Sequence, residues 1–224
     1  VAMTTAALLL LTDGRFPTGA YAHSAGLEAS VQSGRVRDVA GLESFLRGRV
    51  HTTGVVVASF AAAACAATAS EDDNRLQLLE DELDARTPSP ALRAVSRALG
   101  RQLLRAVNTI APHPKLTVLP PAPHHPIALG GAAAALGLAA GDAALAALYD
   151  SVTGPANAAA KVLPLDPFRI HAALVRLMPS LEQLASTAAD YATTAPDQLP
   201  ASGAPLIDVG AEHHARWEGR LFAS

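Results

Sequence analysis

Eight histidines and a single cysteine are the first residues from which chemistry could be expected. His113, His124 and His125 share one Pro-rich stretch, and His213-His214 stand near the C terminus. Imidazole suits nickel and zinc. None of these pairs has i, i+4 spacing on a clear helical pattern, and no thiolate joins them, so no preformed metal site is expected. His23-Ser24 puts a base beside a hydroxyl, but adjacent side chains diverge and no third group orients the base. Cys65, inside AAAACAATA, reads as a small core residue. One cysteine also excludes a disulfide framework and every CxxC motif. Gly154 to Lys161 imitates a phosphate loop only on the surface, because no glycine precedes Lys161 and Pro155 spoils the cradle. The GxGxxG, HExxH, GxSxG and EF-hand patterns are absent from the sequence. Arg93, Arg97, Arg101 and Arg105 recur every fourth residue and read as a solvated helix face, as does Glu80-Asp81-Glu82. What remains is contact chemistry. Gly19-Ala20-Tyr21-Ala22-His23-Ser24 concentrates polar tips in one loop, and Trp217, Arg220 and Phe222 are residue types enriched at binding hot spots.

The elements that must position these residues are helical. Half of the 224 residues are hydrophobic, 17% are charged and 4% are aromatic. Such a chain can bury a core without staples. Its alanine content favours helices, and a β-sandwich would want more β-branched and aromatic residues. A net charge of −3 argues against a nucleic-acid backbone binder. The N terminus lacks the basic flank and cleavage site of a signal peptide, and the Ile127–Ala140 run is too short to span a bilayer. The expectation is a soluble cytoplasmic protein with no membrane contact.

Ala2–Thr12 reads as a first helix, stopped by Asp13-Gly14. Ser24 caps a short helix through Gln32, with Gly34 at its end. Asp38 caps a third, in which Val39, Leu42, Phe45, Leu46 and Val50 form a buried face. Val55–Ala69 is apolar nearly all round and belongs in the middle of a bundle. Ser70–Asp73 resembles a capping box, and Ser89-Pro90 opens another helix. Ala111–Pro126 reads as a Pro/His loop. Ile127–Gly141 and Asp142–Ser151 read as Ala-rich helices that approach closely. Gly154-Pro155 is expected to kink or break the chain, Asp166-Pro167 to start a helix, and Pro179 to break or kink it. Thr193–Pro205 reads as loop. The predicted fold is all-α: one helical domain over 1–224 with eight to ten helices, a body over 1–192 and an apolar tail over 193–224. An apolar tail docks either on the body or on a partner.

One stretch is specific. LLLLTDGRFPTGAYAHSAGLEASVQSGRV resembles the N-terminal signature of the urease accessory protein UreF family. The matching residues are Asp13, Phe16, Pro17, Gly19, Tyr21, His23, Ser24, Gly26, Leu27 and Glu28. The ending His214…Arg220-Leu221-Phe222-Ala223-Ser224 is similar too. Membership implies an all-α homodimer with no cofactor and no activity of its own. It further implies binding to UreD (UreH) and the GTPase UreG, in an assembly that loads nickel into apo-urease with GTP hydrolysis. By the same resemblance Tyr21, Lys161 and Arg220 face UreG, and Tyr149 lies at the dimer interface. The tail with His214, Trp217, Leu221 and Phe222 becomes ordered against UreD. Departures from the family pattern are Leu145, Ala215 and Asp166-Pro167-Phe168-Arg169. The alternative is a nickel carrier that uses His124, His125, His213 and His214.

Overall fold

Alanine holds helices apart by no more than a methyl group, so an Ala-rich chain can pack them close. The computed structural model describes residues 4–219, 221 and 222. Among them are ten α-helices and no β-strand, which makes the fold all-α. They are α1 (Thr4–Leu11), α2 (Leu27–Gln32), α3 (Val39–Arg49), α4 (Val55–Ala69), α5 (Asp73–Ala85), α6 (Pro90–Ile110), α7 (His125–Ala135), α8 (Ala140–Val162), α9 (Pro167–Ala189) and α10 (Pro205–His214). The expected helix start at Ala2 lies outside the described residues.

The central element is α4. Ala58 and Phe60 through Ala64 are fully buried, and α7, α8, α5 and α9 pack around them. A Cβ at Gly130 would stand 2.3 Å from the Ala61 carbonyl oxygen, so glycine is what lets α7 lie against α4. Cys65 sits in this core, 3.6 Å from the Leu138 carbonyl oxygen, and burial pushes its thiol up to about 11. That makes it structural and inert. A π-type turn, Val50–Gly54, joins α3 to α4. The combined helix, Val39–Ala69, has 31 residues and is apolar enough to cross a membrane, but 67% of its apolar window is buried inside the bundle. That is the pattern of a core helix.

Caps fall largely where the sequence placed them. Asp38, Ser89 and Asp166 accept from the Gly41, Leu92 and Phe168 amides. At α5 the cap is Asp72, bound by the Arg75 amide, while the Ser70 hydroxyl turns back to the Ala66 carbonyl. The Pro/His loop is more ordered than expected. It holds a 3₁₀ turn (Pro114–Val118), and α7 begins at His125 with His124 at its N-cap position.

Neither proline expected to kink or break the chain ends its helix. Both α8 and α9 continue through Pro155 and Pro179. Pro179 is exposed, so the carbonyl it leaves open, on the exposed Val175, can meet water. Pro155 is buried, and the carbonyl it leaves open is that of Ser151. The Arg49 Nε donates to that oxygen at 3.1 Å, and its Nη1 donates to the Ala25 carbonyl at 3.1 Å. A side chain from α3 thus replaces the missing amide of α8. Burial pushes Arg49 down to about 10, so it stays charged at neutral pH.

Arg97 and Glu80 are corrections too. Glu80 is 2% exposed, and its carboxylate accepts from Arg97 Nη1 at 3.0 Å and from the His124 amide at 2.9 Å. Arg97 Nη2 also donates to Asp84 at 2.7 Å, and the His124 ring lies between Asp84 and Ser96. Burial pushes Glu80 up to about 7 against the pull of these donors. The signal was present in the sequence: position 80 follows Leu76 by one turn, on the face of Leu76, Leu79 and Leu83. Arg101 and Arg105 are exposed as expected.

The Arg49 bridge makes a testable claim. Arg49→Met should cost about 2 kcal/mol in denaturant unfolding, because it strands two carbonyl oxygens. In a Pro155→Ala background, where the helix supplies its own donor to Ser151, the cost should shrink by about 1 kcal/mol. Strictly additive costs would refute the compensation.

Candidate functional site

The signature loop is built from backbone conformations that only certain residues reach. Gly19 (φ +73°) and Gly26 (φ +87°) are left-handed, and Ala25 is held there as well at φ 52°. The Ala25 carbonyl is the one tied to Arg49. A Cβ on Gly26 would meet Ile207 of α10 at 3.1 Å, so this glycine both turns the chain and admits the C-terminal helix. Phe16 anchors the loop in the core, while Pro17 is exposed. Tyr21 rides on a 3₁₀ turn (Ala20–Ala22) packed against α8 and is 71% exposed. Ser24 is buried, and its Oγ accepts from the Glu28 amide at 3.3 Å. That bond caps α2 even though Gly26 occupies the N-cap position. His23 is half-buried and held below the usual imidazole range by desolvation. His125 is held lower still, at about 4, by burial and by the nearby His23.

Glu28 is the pivot of the site. It is 5% exposed, and its carboxylate collects donors from the far end of the chain. His214 Nε2 donates to it at 2.7 Å, the Leu221 amide at 3.0 Å and the Phe222 amide at 3.2 Å. The Trp217 ring meets the His214 ring edge-on, with centroids 5.1 Å apart. The Lys161 ammonium, in the last turn of α8, sits 5.5 Å from the Phe222 ring centroid. The arrangement brings together Glu28, Lys161, His214, Trp217, Leu221 and Phe222. Arg220 lies outside the described residues. Tyr149 stands apart, twelve residues before Lys161 on α8, or about 18 Å along the axis.

The tail packs on its own body. Phe222 and His214 are buried, while Leu221, Leu206 and Val209 face outward at 71%, 64% and 63% exposure. Glu212 Oε1 accepts from the Ser89 hydroxyl at 2.5 Å and the Ala91 amide at 2.9 Å, which pins α10 to the N terminus of α6. Upstream, Arg75 of α5 and Arg86 at its C-cap donate to the carbonyls of Thr194 and Pro200, so the Pro-rich connection is tied down.

The histidines raised as metal ligands are dispersed. His124 is engaged by Asp84 and Ser96, and His214 by Glu28. Among the described residues no group of three or more His, Cys, Asp and Glu side chains converges.

The residue-type patterns gave no warning of Asp150, next to Tyr149. It is half-buried, and desolvation pushes its carboxyl up to about 7. The folded chain therefore keeps a proton there up to about pH 7, far above the ordinary aspartate value of 3.8. Stability from this group is present at low pH and is lost as pH rises through 7. Asp150→Asn should raise the melting temperature by a few degrees at pH 8, and the gain should fade towards pH 5. An equal gain at both pH values would contradict this.

Comparison with known proteins agrees with these features. Residues 36–178 match the sequence pattern that defines the UreF family. The chain is 40% identical over 221 residues to the urease accessory protein UreF of Mycobacterium sp. (strain JLS), covering 99% of each. It is 42% identical over 223 residues to that of Mycolicibacterium vanbaalenii, covering 98% of each. It is 38% identical over 223 residues to that of Mycobacterium tuberculosis (strain H37Rv), covering 99% of this chain and 100% of the relative. Since the family pattern spans more than half of the chain and these relatives align nearly end to end, signature loop and tail included, the chain belongs to the urease accessory protein UreF family.

Proposed function

We propose that this chain is a non-catalytic scaffold of urease maturation that works in the cytoplasm. It binds UreD (UreH) and the GTPase UreG, and it supports GTP-dependent insertion of nickel into apo-urease. The observation that carries the reading is the Glu28 junction. One carboxylate, at the end of the signature stretch, gathers the C-terminal tail beside Lys161. Tyr21 and Leu221 are both 71% exposed, and large apolar groups left outward in this way suit docking. The tail's outward face, with Leu206, Val209, Leu221 and the half-buried Trp217, is offered to UreD. Lys161 and Arg220 offer cations to UreG. Tyr149 is offered to a second copy of the chain, with Leu145 one turn before it also half-buried. The cargo nickel passes through the assembly as substrate.

Co-purification tests the reading. The tagged full-length chain should capture UreD and, with UreD bound, UreG. Deleting the segment from 205 onward should abolish both captures. Lys161→Ala should weaken UreG binding by on the order of 2 kcal/mol while leaving UreD capture intact. Failure of the intact chain to capture either protein would refute the scaffold assignment.

A further inference from the structure

A carboxylate that is 5% exposed needs its oxygens hydrogen-bonded, because burial strips its water. Among the described residues, three donors meet Glu28 Oε1 and Oε2, and all come from the tail: His214, Leu221 and Phe222. The dependence runs both ways. Both Glu28 oxygens already accept from tail amides, so His214 presents Nε2–H to the carboxylate, and among the described residues its Nδ1 is buried without a partner. Glu28 is therefore the polar hold on that ring. The clamped amides of Leu221 and Phe222 set the Phe222 ring under the Lys161 ammonium.

We propose that Glu28 and His214 are positioning residues that assemble the GTPase-facing surface, by holding the tail on the body so that it meets Lys161. The proposal rests on the scaffold reading above and deepens it. Neither residue touches the partner; each acts through the tail. A chain whose tail is released keeps its helical body but presents Lys161 without Phe222.

Glu28→Gln is the sharpest variant. Glutamine keeps one acceptor oxygen and turns an NH₂ group towards donors, so at least one tail contact becomes donor against donor. His214→Ala removes the ring contact while leaving the carboxylate in place, and serves if the first variant folds poorly. Trp217 is the one tryptophan in the sequence and packs on His214, so its emission reports on the tail. The full-length chain is measured alone for Trp217 emission and for hydrogen exchange of the segment 205–222. It is then measured as its UreD complex for binding of the GTPase.

Both variants should shift Trp217 emission to the red and speed exchange of the tail by about tenfold or more, with exchange of α4 unchanged. Both should weaken GTPase binding by about tenfold. Lys161→Ala should weaken GTPase binding with Trp217 emission unmoved, which separates a contact residue from a positioning one. A tail that stays protected in both variants would overturn the proposal, and so would a released tail with undiminished GTPase binding. If the unaltered chain fails to bind the GTPase at all, the scaffold reading falls and the proposed surface falls with it. The exchange and emission data alone then still decide whether Glu28 holds the tail.

Discussion

A single half-buried guanidinium ties the front of this molecule together. Pro155 lies inside a helix where an amide should reach back to Ser151, and Arg49 supplies the missing donor from another helix. The same side chain holds the Ala25 carbonyl. That second bond fixes the left-handed turn from which α2 starts, and α2 carries Glu28. Glu28 in turn gathers the tail. A defect in helix geometry on α8 is thus linked, by hydrogen bonds through one cation, to the placement of the C-terminal residues. The π-type turn directly after Arg49 falls at the same junction, in keeping with the tendency of such turns to mark functional sites.

Polar joints matter here because the core itself is plain. Alanine and glycine allow close approach of α4 and α7 but offer few interlocking shapes to specify how helices are rotated or shifted. Direction-dependent contacts supply that information. The Glu80–Arg97–Asp84–His124 cluster joins α5, α6 and the start of α7. Glu212 joins α10 to α6, and Arg75 and Arg86 hold the connection before α10 by its carbonyls. Each contact satisfies groups that burial would otherwise leave unpaired, so the arrangement resists being rebuilt in another register.

The functional surface follows the same logic. Its His214 and Glu28 are engaged with each other, and its exposed groups include an aromatic, a lysine and several aliphatic side chains. That distribution suits recognition of other proteins. Membership of the urease accessory family supplies the biological setting, and the Glu28 junction shows how two ends of one sequence can contribute to one surface.

Much of this was legible in the sequence. Apolar periodicity gave the helices, Asp38, Ser89 and Asp166 announced their starts, and the all-round apolar run 55–69 declared the central position of α4. The signature from Asp13 to Glu28 pointed to the family because its glycines and polar residues meet local backbone demands that survive in isolation. Local pattern placed Glu80 on the apolar face of α5 but could not name the groups that would pair with it. Arg97 looks like solvated surface until α7 is laid across it. Pro155 and Pro179 look like helix breakers until Arg49 is placed on the Ser151 carbonyl and Val175 is seen to face outward. Glu28 and His214 are 186 positions apart, and nothing in either segment names the other. Periodicity and capping act over a few residues, and the sequence records them directly. Desolvation and long-range hydrogen bonding depend on what the folded chain brings alongside, and only the tertiary structure decides that.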